Sequence, residues 1–121
     1  MKIVRLVSTF LLAIPLLVFG SNYFIEFLPN PPVVDSIGFD LLQMMRDGGL
    51  MTYVALSHVV IGILLLVPRT RFAGALLQLP ISIGIVSFHM SMEPMGLLFG
   101  LVLLVLNILA LWDTEKIKNL L

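Results

Sequence analysis

Apolar residues run almost unbroken through four stretches of the chain, and polar residues collect in the short gaps between them. A helix that crosses a bilayer needs roughly 20 mostly apolar residues. The stretches at about 3–27, 50–67, 72–92 and 95–112 come close to that length, and no charged side chain interrupts their middles. Pro68 and Pro94 fall where helices should stop. Pro15 and Pro80 lie inside the first and third stretches and predict kinks. The pattern predicts one all-α domain over residues 1–121, an integral membrane four-helix bundle.

Two of the gaps are very short, namely 68–71 and Glu93-Pro94, so the helices they join should be antiparallel neighbours. The first gap is longer. It opens on Leu28-Pro29-Asn30-Pro31-Pro32, which reads as extended or turn-like chain. Phe39, Leu42 and Met45 then recur at three-residue spacing up to Arg46. This predicts a short amphipathic helix on the membrane surface, released into the next span by Gly48-Gly49.

Charge adds an orientation. Of the seven Lys and Arg residues, Lys2, Arg5, Arg69, Arg71, Lys116 and Lys118 fall on one side of the predicted spans, and Arg46 alone on the other. The positive-inside rule then places both termini in the cytoplasm of a multi-pass cell-membrane protein. Glu26, Asp35, Asp40, Asp47 and Glu93 lie outside. Lys2 and Arg5 before an apolar run, with 18–20 behind it, also resemble a signal peptide. The run continues past that cut and favours a retained span.

Composition narrows the chemistry. The 121 residues are 60% hydrophobic and 12% charged, against roughly 45–50% and about 25% in soluble domains. The formal charge is zero and there is no basic block, which excludes nucleic acid as a partner. Without cysteine, the chain by itself has no disulfide, thiolate metal site, iron–sulfur cluster or thiol nucleophile. No catalytic set and no metal-ligand cluster is legible. The expected partners are membrane lipid, a redox or other membrane protein, and a second copy of the chain.

The segment Phe19-Gly20-Ser21-Asn22-Tyr23-Phe24, leading into Phe27-Leu28-Pro29-Asn30-Pro31-Pro32, resembles the DoxX-like family of small four-helix membrane proteins. Leu79-Pro80-Ile81 followed by Phe88-His89 fits the same family, as does Gly62 before an aliphatic run and Arg69. The similarity covers roughly residues 10 to 112. It implies the fold, and it implies a place among membrane redox complexes, since family members include subunits of a thiosulfate:quinone oxidoreductase. Two positions depart from the pattern. His58 stands where members often carry Glu, and Gly84 where they often carry Asn. Neither a carboxylate nor an amide role can therefore be carried over at those positions.

Polar groups within a span are costly and each calls for a reason. His58 lies roughly 12 Å below the outer surface. It reads either as a proton relay or quinone partner, or as a histidine satisfied by a neighbour such as Ser82. His89 and Glu93, four apart, share a helix face near the outer end of the third span. Asn22 and Glu26 do the same on the first span, with Tyr23 and Tyr53 at similar depth and Arg46 nearby. These residues are expected either to gather into a pocket for a quinone headgroup or to form an ordinary interfacial belt. The two histidines differ in depth by roughly 7 Å, too much for paired haem ligands. Gln78 and Asn107 are expected to share an interhelical hydrogen bond. Gly96 and Gly100 form a GxxxG face, and Ser87 and Ser91 a small pair, suited to bundle packing or to a partner.

Two functional classes follow. One is an accessory subunit of a membrane redox system, not catalytic on its own, which holds a quinone-like or lipidic ligand at His89, Glu93, Asn22, Glu26, Tyr23 and His58. The other is a membrane scaffold or assembly factor with no small-molecule site. A pocket at the outer polar cluster would favour the first, and a filled bundle the second.

Overall fold

The computed structural model describes residues 2–30, 33 and 35–120. Pro31 and Pro32 of the proline-rich stretch lie outside the described residues. All regular structure among the described residues is helical. The helices are α1 (Lys2–Ile25), α2 (Ile37–Asp47), α3 (Leu50–Leu66), α4 (Arg71–Ser91), α5 (Leu97–Ala110) and α6 (Thr114–Leu120). A 3-10 turn, Pro94–Gly96, leads into α5.

By length and composition, α1 and α4 are each long and apolar enough to cross a membrane. The pair α2 and α3 adds a third such segment if taken as one bent span, with 91° between its halves. The apolar run Pro94–Ala110 is shorter. Its helix is narrower than the stretch 95–112 predicts, because Pro94 opens a 3-10 turn that uses the first residues. Both α1 and α4 run on through Pro15 and Pro80. The tail folds into the short α6, an element the hydrophobic pattern does not signal.

Local chemistry sets the ends. Ser36 caps α2, its Oγ accepting from Phe39 N at 3.1 Å. Asp40 in the first turn and Arg46 in the last complement the helix dipole. Gly49 has φ 85°, a left-handed conformation open to glycine at little cost, and it lets α3 leave α2 at a sharp angle. At the far end of α3, Thr70 Oγ1 donates to Leu64 O at 2.8 Å. Arg71 donates through Nε to Leu65 O at 2.9 Å and through Nη2 to Leu66 O at 3.1 Å. Three carbonyls that the helix leaves open are thereby satisfied.

Four helices surround one core. Leu12, Ala13 and Leu16 of α1 meet Ile61 and Leu65 of α3, Ala75 of α4, and Leu103 and Ala110 of α5. Contact is close where glycines face neighbours. A Cβ on Gly20 would fall 2.9 Å from Ala55 O, and one on Gly62 would overlap Leu17. The outward surface is apolar too: Ile14, Ile63, Leu77 and Val105 are 55%, 51%, 55% and 54% exposed. Helices apolar on every side belong in a larger core or in lipid.

Candidate polar site at the α2 end of the bundle

Six side chains carry the ligand-site expectation, and the fold engages four of them, His89, Glu93, Asn22 and Tyr23, in separate hydrogen bonds. On α4, the His89 ring lies against Gly96, where a Cβ would collide with it, and packs edge-to-face with Phe88. Its Nδ1 is 2.9 Å from Glu93 O. A carbonyl only accepts, so Nδ1 carries the proton and donates. That bond closes the turn between α4 and α5. A Cβ on Gly100 would lie 3.4 to 3.6 Å from Ile85, Val86 and the same ring. The GxxxG face is therefore used inside the fold, against α4. The small pair Ser87 and Ser91 is exposed.

Glu93 extends its carboxylate to α2, where Ser36 Oγ donates to Oε2 at 2.7 Å. The same surface is tight: a Cβ on Gly38 would sit 3.0 Å from Glu93 Cβ and 3.1 Å from Met92 O. Ser36 thus caps its own helix and fastens it to the α4–α5 turn. The three-residue spacing predicts a helix here, but it does not identify the partner of Glu93. The signal that could have found it is Ser36 itself, a cap residue three positions before Phe39.

On α1, Asn22 Oδ1 accepts from Leu28 N at 2.7 Å and so orders the chain leaving the helix. Glu26 has φ 54°, the left-handed position at which α1 ends, and its side chain is exposed. Tyr23 Oη shares a hydrogen bond of 2.8 Å with Thr52 Oγ1 of α3. The Arg46 guanidinium lies 5.7 Å from the Tyr23 ring centroid, a cation–π distance. Tyr53 turns outward and is exposed.

The structure therefore joins His89 to Glu93, and Tyr23 to Thr52 and Arg46, as separate groups on different helix seams. No hydrogen bond or ion pair among the described residues joins Asn22 or Glu26 to His89 or Glu93.

Deeper between the helices, Gln78, Ser82 and Asn107 are each 0% exposed. Ser82 Oγ donates to Asn107 Oδ1 at 2.8 Å, and Asn107 Nδ2 donates to Ala75 O at 2.9 Å. Gln78 Nε2 reaches Ser82 Oγ at 3.3 Å. The expected direct pair of Gln78 and Asn107 is corrected to a chain with Ser82 at its centre. The proposed service of Ser82 to His58 is corrected as well, because the Ser82 hydroxyl faces α5. His58 sits beside Gly20 on the α1–α3 seam. Its Nδ1 is buried with no protein partner, and so is Gln78 Oε1.

Comparison of the chain with protein families, with curated proteins and with solved structures finds no match.

Proposed function

We propose that the chain is an integral membrane protein, a bundle of four spanning helices with both termini in the cytoplasm, that acts as a scaffold or assembly factor for another membrane protein. One observation carries the choice of scaffold over ligand carrier. Four of the five polar groups expected to meet a ligand at the α2 end are engaged within the chain, Glu93 with Ser36, Nδ1 of His89 with Glu93 O, Asn22 with Leu28 and Tyr23 with Thr52, and the fifth, Glu26, is exposed. A headgroup binding there would have to break bonds that hold the turns together. The apolar outer surface of α1, α3, α4 and α5 supports the membrane reading, since water would not tolerate so much of it.

A second reading keeps the redox role. The buried Nδ1 of His58 has no partner in the chain, and a buried polar atom of that kind calls for one. A quinone-like carbonyl entering along the α1–α3 seam would accept its proton. The DoxX-like resemblance supports this alternative. It would make the chain an accessory subunit of a membrane redox system.

Purification in mild detergent followed by mass spectrometry of extracted small molecules separates the two. The scaffold reading expects no stoichiometric quinone. A stoichiometric quinone that is lost in His58→Ala, with insertion intact, would replace it with the redox reading. Retention of quinone in His58→Ala together with its loss in His89→Ala would restore the α2-end pocket.

A further inference from the structure

At the opposite end of the bundle, where α1 begins and α5 ends, a cavity of about 260 Å³ opens between the helices. That is below the roughly 300 Å³ at which pockets for drug-sized ligands begin, so a small polar group fits and a cofactor ring system does not. Its wall carries four cations, Lys2, Arg5, Arg71 and Lys116, against a single carboxylate, Asp113. Arg5 Nη1 pairs with Asp113 Oδ2 at 3.0 Å. No salt bridge among the described residues neutralises the other three.

Two of these cations, Arg71 and Lys116, are placed by contacts with their neighbours. Arg71 is fixed by its two bonds to Leu65 O and Leu66 O, and its guanidinium lies 5.3 Å from the Phe10 ring centroid. Its Nη1 bonds no acceptor among the described residues. Lys116 Nζ stands 5.4 Å from the Phe72 ring centroid, with Phe72 itself lining the cavity. Like charges gathered around one concavity repel one another, and an anion seated between them relieves the repulsion. Guanidinium and ammonium groups together suit phosphate, the first by its fork and the second as a point charge.

We infer that this cavity is a binding site for an anionic phosphate group, supplied either by the headgroup of an acidic phospholipid or by a soluble phosphate. Basic pockets between spanning helices take lipid headgroups in this manner. Phe72 and Leu6 at the cavity wall offer apolar surface beside the charges. The site stands whether the chain is a scaffold or a redox subunit, because none of its residues takes part in either reading.

The test uses the full chain in neutral detergent, with thermal unfolding followed during titration. The probes are short-chain phosphatidylglycerol, short-chain phosphatidylcholine as the zwitterionic control, and inorganic phosphate. The unfolding midpoint is expected to rise with an anionic probe and not with phosphatidylcholine. The exposed pair changed together, Lys2→Gln with Lys116→Gln, should need about thirtyfold more ligand for the same rise. Lys118→Gln, a cation of the same end outside the cavity wall, should respond as the parent does. A response to inorganic phosphate equal to that with phosphatidylglycerol assigns a soluble phosphate, and a response to the lipid alone assigns a headgroup. No rise with either anion, or an equal loss in Lys118→Gln, overturns the site.

Discussion

Ser36 donates its hydroxyl to Glu93 across 57 positions of sequence, and the same oxygen accepts from Phe39 N. A single side chain thus begins α2 and ties it to the turn between α4 and α5. Ser36→Ala removes both bonds. A lost cap costs about 0.5–2 kcal/mol, and a lost bond to a charged group about 1.5–3 kcal/mol. The two overlap and partial exposure lets water replace some of each, so destabilisation of about 1–3 kcal/mol is expected. Hydrogen exchange in detergent should speed up across Ile37–Asp47 first. Protection there equal to the parent's would show that α2 is held by its apolar face alone.

Glycines on two sides of the bundle should answer oppositely to the same change. Gly96→Ala pushes a methyl group into the His89 ring. Overpacking of this kind costs about 1–3 kcal/mol. Gly84→Ala meets nothing within 4 Å and exchanges glycine for a better helix former, a gain of about 0.5–1 kcal/mol. Thermal unfolding of both variants in one detergent checks the pair. A destabilised Gly84→Ala would mean that a partner or a second copy occupies the α4 surface.

These contrasts mark what could be read from the sequence. The helix α2 was legible because Phe39, Leu42 and Met45 recur at three-residue spacing, and the structure extends it only to Ile37–Asp47. The face of α5 that meets α4 was legible only at Gly96, Gly100 and Asn107. Leu97–Ala110 is apolar all round apart from Asn107, so no amphipathic stripe marks the inward side. For the same reason Ser82 could be assigned to His58 when it belongs to Asn107. Counting helical rise puts Asn22, Tyr23, Tyr53, His89 and Glu93 at similar depth, but depth leaves the rotation of each helix free, and no bond among the described residues joins Asn22 to His89. Lys2, Arg5, Arg71 and Lys116 were legible singly, as orientation signals. Their convergence on one cavity needs the packing of α1, α4 and α6.

The buried polar chain should be unequal along its length. Asn107 makes two bonds, to Ser82 and to the Ala75 carbonyl. Interhelical hydrogen bonds in membrane bundles average about 0.6 kcal/mol and reach about 1.7. Asn107→Ala should therefore cost about 1–3 kcal/mol, including the cavity it leaves. Gln78 makes one long bond and leaves Oε1 buried without a partner. Gln78→Met keeps the volume and removes that orphan, so its change should stay within about 1 kcal/mol of zero. Comparable losses at both positions would show that Gln78 Oε1 holds an ordered water.

Glu26 occupies a left-handed backbone position that a residue with a Cβ fills at a cost of about 1–2 kcal/mol. Glu26→Gly should recover about 1 kcal/mol, because glycine is the ordinary residue at such a helix end. The gain should appear without change in the amount of any ligand that copurifies. A loss of ligand in Glu26→Gly would return this carboxylate to the ligand site.

The proposed orientation rests on which charges share an end of the molecule. Arg5 pairs with Asp113, and Lys2, Arg71 and Lys116 line the same cavity, so α1 begins where α5 ends and where α3 turns into α4. Ser36 and Glu93 mark the opposite end. If the cationic end faces the cytoplasm, a cysteine placed at Asp40 on α2 should react with an impermeant maleimide added to intact cells. A cysteine at Thr70, between α3 and α4, should react only after the cells are opened. The parent chain has no cysteine, so all labelling reports the introduced position. Asp40 is exposed, and its substitution leaves the Ser36 cap in place. Thr70 donates to Leu64 O, a bond the substitution removes, so Arg69→Cys, at an exposed site of the same turn, serves as the second reporter of that end. Labelling of Thr70→Cys and Arg69→Cys from outside, with Asp40→Cys silent, would invert the protein in the membrane and move the phosphate cavity to the outer face.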